Sequence, residues 1–201
     1  MKIALVSGSH RPNGRSGYVA RFASDLLKKE GADTEIFDLG KTPLPLWDES
    51  IWAKTGKPWN DDWSRMSATL QTCDGIVVVS PEWAGMVPPA LKNFFLLCGR
   101  RELGHKPGLI IGLSSGMGGA YPIAELRISS YKNNYLCYLP EHLIIRHGDK
   151  VLNGDTPIDD NDRLTRERMA YSLQLLMMYA KALAPIRGTD LVSKSPWTNG
   201  M

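Results

Sequence analysis

The sequence predicts an α/β fold in which a doubly wound parallel sheet carries helices on both faces. Short runs of β-branched and other aliphatic residues alternate along the chain with longer segments that have helical apolar spacing. The runs at 2–6 and 75–80 lack polar alternation, as expected of buried strands. Loops rich in glycine, serine or proline follow three of the runs. In a parallel sheet such loops lie at the carboxyl edge, where ligands bind.

The individual elements follow from these patterns in chain order. Strands are predicted at residues 2–6, 34–37, 75–80, 109–113 and 142–145, and helices at 18–29, 88–97, 120–131 and 160–184. The continuous β-branched run at 75–80 is assigned to the centre of the sheet. Prolines at the start of the 88–97 helix are tolerated in a first turn. The stripe that includes Leu164, Leu173 and Leu176 is typical of a helix face packed on a core.

Length and composition predict one domain over residues 1–201, with a core to about residue 184 and a loosely held tail at 185–201. The net charge of +3 is too small to indicate nucleic acid or an anionic membrane as a partner. Three widely spaced cysteines form neither a metal-binding pattern nor a disulfide framework, which favours a reducing cytoplasm. The first apolar run is too short for a signal peptide, and no segment predicts membrane insertion.

The first loop, from Ser7 to Gly17, has the composition of an anion cradle. It connects a buried strand to the start of a helix, where backbone N–H groups lack intrahelical partners and the helix dipole favours negative charge. Two arginines, Arg11 and Arg15, and several hydroxyls indicate a dianionic phosphate monoester. An ordinary βα turn also favours glycine, asparagine and serine, and it remains the alternative.

The second and third loops have features that suit a planar ligand. The loop at 80–89 places Trp83 beside two small residues, between prolines that restrict the backbone at both ends. The loop at 114–121 contains three glycines, which allow close approach of another group to the backbone. A rigid surface turn and a glycine-rich helix start are the alternatives for these two loops.

Three motifs resemble the NADPH-dependent FMN reductase family. They are the Gly8-Ser9-x-Arg11 opening, the segment Ser80-Pro81-Glu82-Trp83-Ala84-Gly85 followed by Leu91-Lys92-Asn93, and the third glycine loop. The resemblance covers residues 2–147 and implies a flavodoxin-like fold with five parallel strands in the order 2-1-3-4-5. The family usually has Tyr where this chain has Trp83, and often Asn where it has Ala84.

The resemblance also implies which residues bind FMN. They are Ser9, Arg11, Asn13, Ser16 and Gly17 at the phosphate, Pro81, Glu82, Trp83, Ala84 and Gly85 beside the isoalloxazine ring, and Ser115, Gly116 and Gly118 on its other side. Asn93 is expected to brace a loop rather than touch the flavin. Arg15, Arg100, Arg101 and His105 are candidates for the phosphates of the nicotinamide cofactor, with solvated surface charge as the alternative.

The implied activity is hydride transfer from NADPH or NADH through FMN to a small oxidant, with no catalytic residue on the protein. The oxidant is a quinone, a flavin, an azo compound or a metal oxyanion, and the implied assembly is a homodimer or homotetramer. The alternatives are a flavodoxin-like electron carrier, which would be more acidic than this chain, and a non-enzymatic FMN-binding protein. A phosphatase is excluded because no cysteine is followed by arginine in a Cys-x5-Arg pattern.

The segment 43–63 is a proline- and tryptophan-rich excursion with three possible roles. It contains Trp47, Trp52, Trp59 and Trp63. The segment is expected to cap the flavin, to pack against a second subunit or to cover the sheet, which is the commonest role of buried tryptophans.

Overall fold

The computed structural model describes residues 1–53 and 57–200 and contains one five-stranded parallel sheet. The strand order β2-β1-β3-β4-β5 confirms the predicted order. The strands are β1 (Lys2–Ser7), β2 (Asp33–Asp38), β3 (Gly75–Pro81), β4 (Pro107–Leu113) and β5 (Cys137–Ile145). Each neighbouring pair is parallel, with one register irregularity between β4 and β5.

Helices cover both faces of this sheet, as predicted. They are α1 (Arg15–Lys29), α2 (Asp61–Thr72), α3 (Pro89–Leu97), α4 (Arg100–Leu103), α5 (Ala120–Ser129), α6 (Asp160–Arg187) and α7 (Asp190–Ser193), with a 3-10 turn at Glu49–Trp52. One core lies between the sheet and the pair α1 and α6, and the other lies beneath α2, α3 and α5. Along β1, Ile3 and Leu5 enter the first core, whereas Ala4 and Val6 enter the second. Because both faces are covered, the central strands need apolar residues at every position.

The structure extends several predicted elements and adds α2, the short helices α4 and α7, and the 3-10 turn. Helix α2 was not predicted, although Trp63, Met66 and Leu70 form its buried face and Asn60 caps its first turn. Strand β5 begins five residues before its predicted start, and α1 begins three residues before. Helix α6 continues past Pro185 to Arg187, because a proline in the last turn removes only one intrahelical hydrogen bond.

Most of the described part of the tryptophan-rich segment packs on the second core, whereas Trp52 is exposed. Trp63 is buried against Phe94, and Trp47 and Trp59 pack on the edge of the same core. Buried Asn93 holds this segment in place. Its side-chain amide accepts from the N–H of Trp47 at 2.7 Å and donates to the carbonyl of Pro45 at 2.8 Å. The observed packing therefore covers the sheet, and residues 54–56 lie outside the described residues.

Among the described residues, no helix is both long enough and apolar enough to cross a membrane. The same residues contain no group of three or more His, Cys, Asp or Glu side chains arranged to hold a metal ion. Cys73, Cys98 and Cys137 are free thiols, and burial raises the pKa of each.

Candidate active site

Three loops meet at the carboxyl edge of the sheet around a cleft of about 210 Å³. They follow β1, β3 and β4, so the cleft lies beside the point between β1 and β3 where the strand order reverses. Ligands of doubly wound folds bind at this position. A fourth segment, the loop after β5, borders the cleft through Gly148 and Asp149.

The first loop presents hydroxyl and guanidinium donors at the start of α1. Ser9 is buried, and its Oγ accepts from the N–H of Arg11 at 3.1 Å, which leaves the hydroxyl hydrogen available for a ligand. The side chain of Arg11 is exposed and lines the cleft. Ser16 shares a 2.9 Å hydrogen bond with Ser7, and when Ser7 is the donor the Ser16 hydrogen is also available. A Cβ at Gly14 would come within 2.6 Å of Ser9 Oγ, so this cradle requires glycine there.

Arg15, the second arginine of the loop, has a different role from the one its sequence position indicates. Its guanidinium donates to the carbonyls of Gly148 and Val151, both at 2.6 Å, and to Asn153 Oδ1 at 2.8 Å. It also lies over the ring of Tyr18, 4.0 Å from the centroid. Partial burial lowers the pKa of Arg15, although neighbouring groups oppose this effect. The side chain thus fastens the loop after β5 to α1, and its donors are directed at protein acceptors rather than at a phosphate.

The second loop is a tight reverse turn that exposes backbone donors. Trp83 and Met86 exchange backbone hydrogen bonds of 3.0 and 2.9 Å. Between them, Ala84 and Gly85 have φ of 49° and 76°, the pattern of a type I′ turn. Within the described chain the N–H groups of these two residues have no hydrogen-bond partner. The half-buried Trp83 ring meets His10 edge-on at 4.2 Å.

Ion pairs and hydrogen bonds fix the second loop against its neighbours. The N–H of Val87 donates to Glu125 of α5 at 2.8 Å, and Lys92 pairs with the same carboxylate at 2.9 Å. Burial by itself raises the pKa of Glu125. The contacts with Val87 and Lys92 together lower this pKa by more, so its net shift is downward. The carboxylate of Glu82 accepts from the N–H of Gly119 at 2.5 Å and joins the second loop to the third.

The third loop is held between Glu82 and the loop after β5. The N–H of Gly116 donates to Ser114 Oγ at 3.1 Å, and the N–H of His147 donates to the carbonyl of Gly116 at 3.0 Å. Gly118 packs so closely on Glu82 that a Cβ there would collide with the carboxylate. A Cβ at Gly116 would meet nothing within 4 Å, so the loop is open at that point.

The structure brings together part of the predicted set of FMN-binding residues. The predicted residues that line the cleft are Ser9, Arg11, Ser16, Pro81, Glu82, Trp83 and Ser115. The predicted residues outside its lining are Asn13, Gly17, Ala84, Gly85, Gly116 and Gly118. Gly17 packs against Asp38, and Asn13 borders a separate cleft beside that aspartate. The role of the whole predicted set in FMN binding stays a prediction.

The sequence interpretation missed several lining residues. They are Gly14, Leu113, Ser114, Gly148 and Asp149, together with the backbone-directed role of Arg15. No local pattern marks the loop after β5 as part of the cleft, because it reaches the first loop only through contacts more than 130 residues apart. Arg100, Arg101 and His105 lie around the start of β4, so within one chain they are at the opposite edge of the sheet from this cleft.

The donors present fit FMN. Ser9, Arg11 and the first-turn N–H groups of α1 provide hydrogen bonds and positive charge for a phosphate. The free N–H groups of the 84–85 turn suit the polar edge of a flat ring, and Trp83 provides an aromatic wall. The cleft volume is below the range of about 300–1,000 Å³ usual for ligand pockets. The ring would therefore extend over the loops beyond the cleft.

Comparison with known proteins gives the same result. Residues 1–150 match the family model described as NADPH-dependent FMN reductase. An NADPH azoreductase of Bacillus sp. (strain OY1-2) is 24% identical over 145 residues, which cover 72% of this chain and 76% of the relative. An FMN-dependent NADPH-azoreductase of Staphylococcus aureus is 25% identical over 128 residues, 64% of this chain and 68% of the relative.

Solved structures share the fold. A flavoenzyme NAD(P)H:(acceptor) oxidoreductase from Paracoccus denitrificans superposes with a TM-score of 0.72 at 18% identity, covering 90% of this chain and 98% of that one. An NAD(P)H:quinone oxidoreductase from Methanothermobacter marburgensis gives 0.62 at 15% identity, with coverage of 88% and 98%. Because the family match covers most of its length, this chain belongs to the NADPH-dependent FMN reductase family and is an enzyme that uses FMN and NAD(P)H.

Proposed function

We propose that this enzyme reduces small organic acceptors of the azo or quinone type, with FMN seated across the three loops. The observation that carries the proposal is the convergence of the three loops on one cleft at the carboxyl edge. Azo and quinone reduction are the activities in the names of similar proteins. In the proposal residues 1–201 act as one domain, and the three free cysteines support a cytoplasmic location.

The protein contributes binding, orientation and an exposed approach to the ring. Ser9, Arg11 and Ser16 hold the phosphate, and the N–H groups of Ala84 and Gly85 orient the ring edge. When bound, FMN supplies two-electron hydride chemistry at its N5 atom, which requires no acid–base pair on the protein. Arg15 keeps the loop after β5 against the cleft, so that the binding surface is in place before the cofactor arrives.

A homodimer or homotetramer is part of the proposal. Several large apolar side chains beside the cleft are exposed, among them Met86, Met117 and Tyr121. Exposed apolar groups that cluster around a site are typical of surfaces covered by a partner. A second copy placed there would complete the shallow cleft around the ring. Analytical ultracentrifugation of the holoprotein tests this point, and a monomer at micromolar concentration would contradict it.

The competing function is an FMN-containing electron carrier that does not react with NAD(P)H. To separate the two, the purified protein is saturated with FMN, freed of excess cofactor and mixed anaerobically with NADPH or NADH. The expected result is loss of the visible flavin bands with at least one nicotinamide, and their return on addition of an azo dye or a quinone. Retained FMN that neither nicotinamide bleaches would favour the carrier. Failure to retain FMN would contradict the proposed site.

A further inference from the structure

A larger cleft, of about 710 Å³, lies at the amino edge of the sheet. It is bordered by the turn between α2 and β3, by α4 and the turn into β4, and by the C-terminal segment after α6. A seven-residue strand such as β4 spans roughly 20 Å, so this cleft and the flavin cleft lie at opposite ends of the sheet. We call it the amino-edge cleft.

The walls of the amino-edge cleft carry more positive than negative charge. Its cations are Arg100, Arg101, Lys106 and Arg187, and its carboxylates are Asp74 and Glu102. Both oxygens of Glu102 are engaged inside the protein, by Ser67 Oγ at 2.7 Å and by the N–H of Gly99 at 2.8 Å. Asp74 accepts from the N–H of Lys2 and from Arg187, each at 3.0 Å. The charge left to face a ligand is therefore cationic.

The arginines of this cleft keep donors that the protein does not use fully. Arg187 Nη2 pairs with Asp74, whereas its Nη1 is buried and has no hydrogen-bond partner among the described residues. Buried donors of this kind are rare in folded proteins. Arg101 is exposed and makes one long contact of 3.3 Å with Gln71. Burial, followed by Arg100 and Arg187, lowers the pKa of His105, as expected in a region of positive potential.

Lys106 has a structural role at the same place. Its buried Nζ donates to the carbonyl of Leu70 at 2.6 Å, in the last turn of α2. A cation there complements the negative end of the helix dipole. It adds to the positive potential of the cleft while its hydrogen bonds go to the backbone.

The C-terminal segment forms the outer wall of the cleft. The carbonyl of Trp197 accepts from Arg100 Nη1 and from the hydroxyl of Tyr135, both at 3.1 Å. These contacts hold Val192, Ser193 and neighbouring residues over the opening. The ring of His105, stacked on Tyr135 at 5.7 Å, adds a flat surface to the inner wall.

We propose that the amino-edge cleft binds a small organic phosphate, with Arg100 and Arg101 at the phosphate group and Arg187 contributing positive charge to the wall. Arginine donors arranged around a cavity match the planar, multidentate hydrogen bonding that phosphate oxygens accept. The volume is within the usual range for small-molecule pockets and exceeds the need of an inorganic ion. The site is independent of the flavin cleft and of the hydride reaction.

Calorimetric titration of the FMN-loaded holoprotein tests the proposal, with adenosine 5′-monophosphate, inorganic phosphate and adenosine as probes. Bound FMN occupies the phosphate cradle of the first loop and prevents binding there. The expected result is saturable, one-to-one binding of the monophosphate. Adenosine and inorganic phosphate should each bind at least tenfold more weakly.

Two variants and a matched control locate the binding. Arg100→Gln/Arg101→Gln should weaken binding of the monophosphate at least tenfold. Ser193→Glu, which puts a negative charge on the outer wall, should weaken it by at least as much. The control Arg65→Gln/Arg163→Gln also removes two positive charges, but at exposed positions outside the cleft, and should leave the affinity for the monophosphate unchanged. FMN content and the KM for NADPH should stay constant in all of them.

Several results would overturn the proposal. They are absence of saturable monophosphate binding to the wild-type holoprotein, unchanged affinity in both cleft variants, or an equal loss in the control. Competition between the monophosphate and NADPH would place the probe at the flavin cleft and would overturn it as well.

Discussion

Replacing either arginine of the first loop by glutamine should separate cofactor binding from folding stability. Arg11 is exposed and its guanidinium has no hydrogen-bond partner in the described chain, whereas Arg15 makes three short hydrogen bonds to the loop after β5. Arg11→Gln should therefore weaken FMN binding and leave the stability of the apoprotein unchanged. Arg15→Gln should mainly lower the stability of the apoprotein.

The magnitudes follow from the contacts. A hydrogen bond to a charged group contributes about 1.5–3 kcal/mol, and 1.4 kcal/mol corresponds to a factor of ten in affinity, so Arg11→Gln should weaken FMN about 10- to 100-fold. Arg15 is only partly buried, and water can solvate the carbonyls that its removal frees. Loss of its three bonds and of its position over Tyr18 should therefore cost less than three such contributions, on the order of 2–4 kcal/mol of unfolding free energy. In a domain of this size that lowers the melting temperature by about 5–15 °C.

Two measurements test these roles of Arg11 and Arg15. They are FMN titration followed by quenching of flavin fluorescence, and thermal unfolding of the apoproteins followed by circular dichroism. Arg65→Gln is the control, because Arg65 is an exposed arginine with one surface partner. The assignment of roles would be refuted if Arg15→Gln kept its melting temperature but lost FMN affinity. It would equally be refuted if Arg11→Gln melted early and bound FMN normally.

Three further changes test other parts of the structure. Ala84→Val should lower the unfolding free energy by about 1–2 kcal/mol, because φ of 49° is unfavourable for a β-branched residue, whereas Ala84→Gly should not lower it. Equal denaturation midpoints for the valine and glycine variants would contradict the turn geometry. Asn93→Ala should lower the unfolding free energy measured in urea by about 2–3 kcal/mol, because it removes two partly buried hydrogen bonds from a buried side chain to the 45–47 backbone. A loss below about 0.5 kcal/mol, the size of a surface substitution, would show that these bonds are not formed. Burial lowers the pKa of Lys106 from 10.5 to about 8 in the folded protein, so between these values only the unfolded chain keeps the proton. The unfolding free energy of the wild type should therefore rise by up to about 3 kcal/mol relative to that of Lys106→Met as pH increases through that window. A difference between the two proteins that does not depend on pH would contradict the burial of the charge.

Much of the fold was predictable because its signals are local. The run at 76–79 is apolar at every position, which is a direct consequence of coverage on both faces. The longest element that was missed, α2, has a helical stripe and an N-terminal cap, but it directly follows a segment dominated by prolines and tryptophans. Element ends were less accurate, because β5 runs through Pro140 and α6 through Pro185, and a proline ordinarily marks the end of a strand or a helix.

The candidate site was predictable only in part. Composition was enough to identify the three loops that carry small, hydroxyl-bearing and aromatic residues, because loop composition responds to local turn geometry. The folded chain was needed to show that Arg15 faces the carbonyls of a loop 133 residues away, and that Glu82 is directed at Gly119. The fold also brings Arg100 and Arg187 to one cleft at the opposite edge. Side-chain direction depends on partners distant in sequence, and those partners are brought together only when the sheet and its two helix layers have formed.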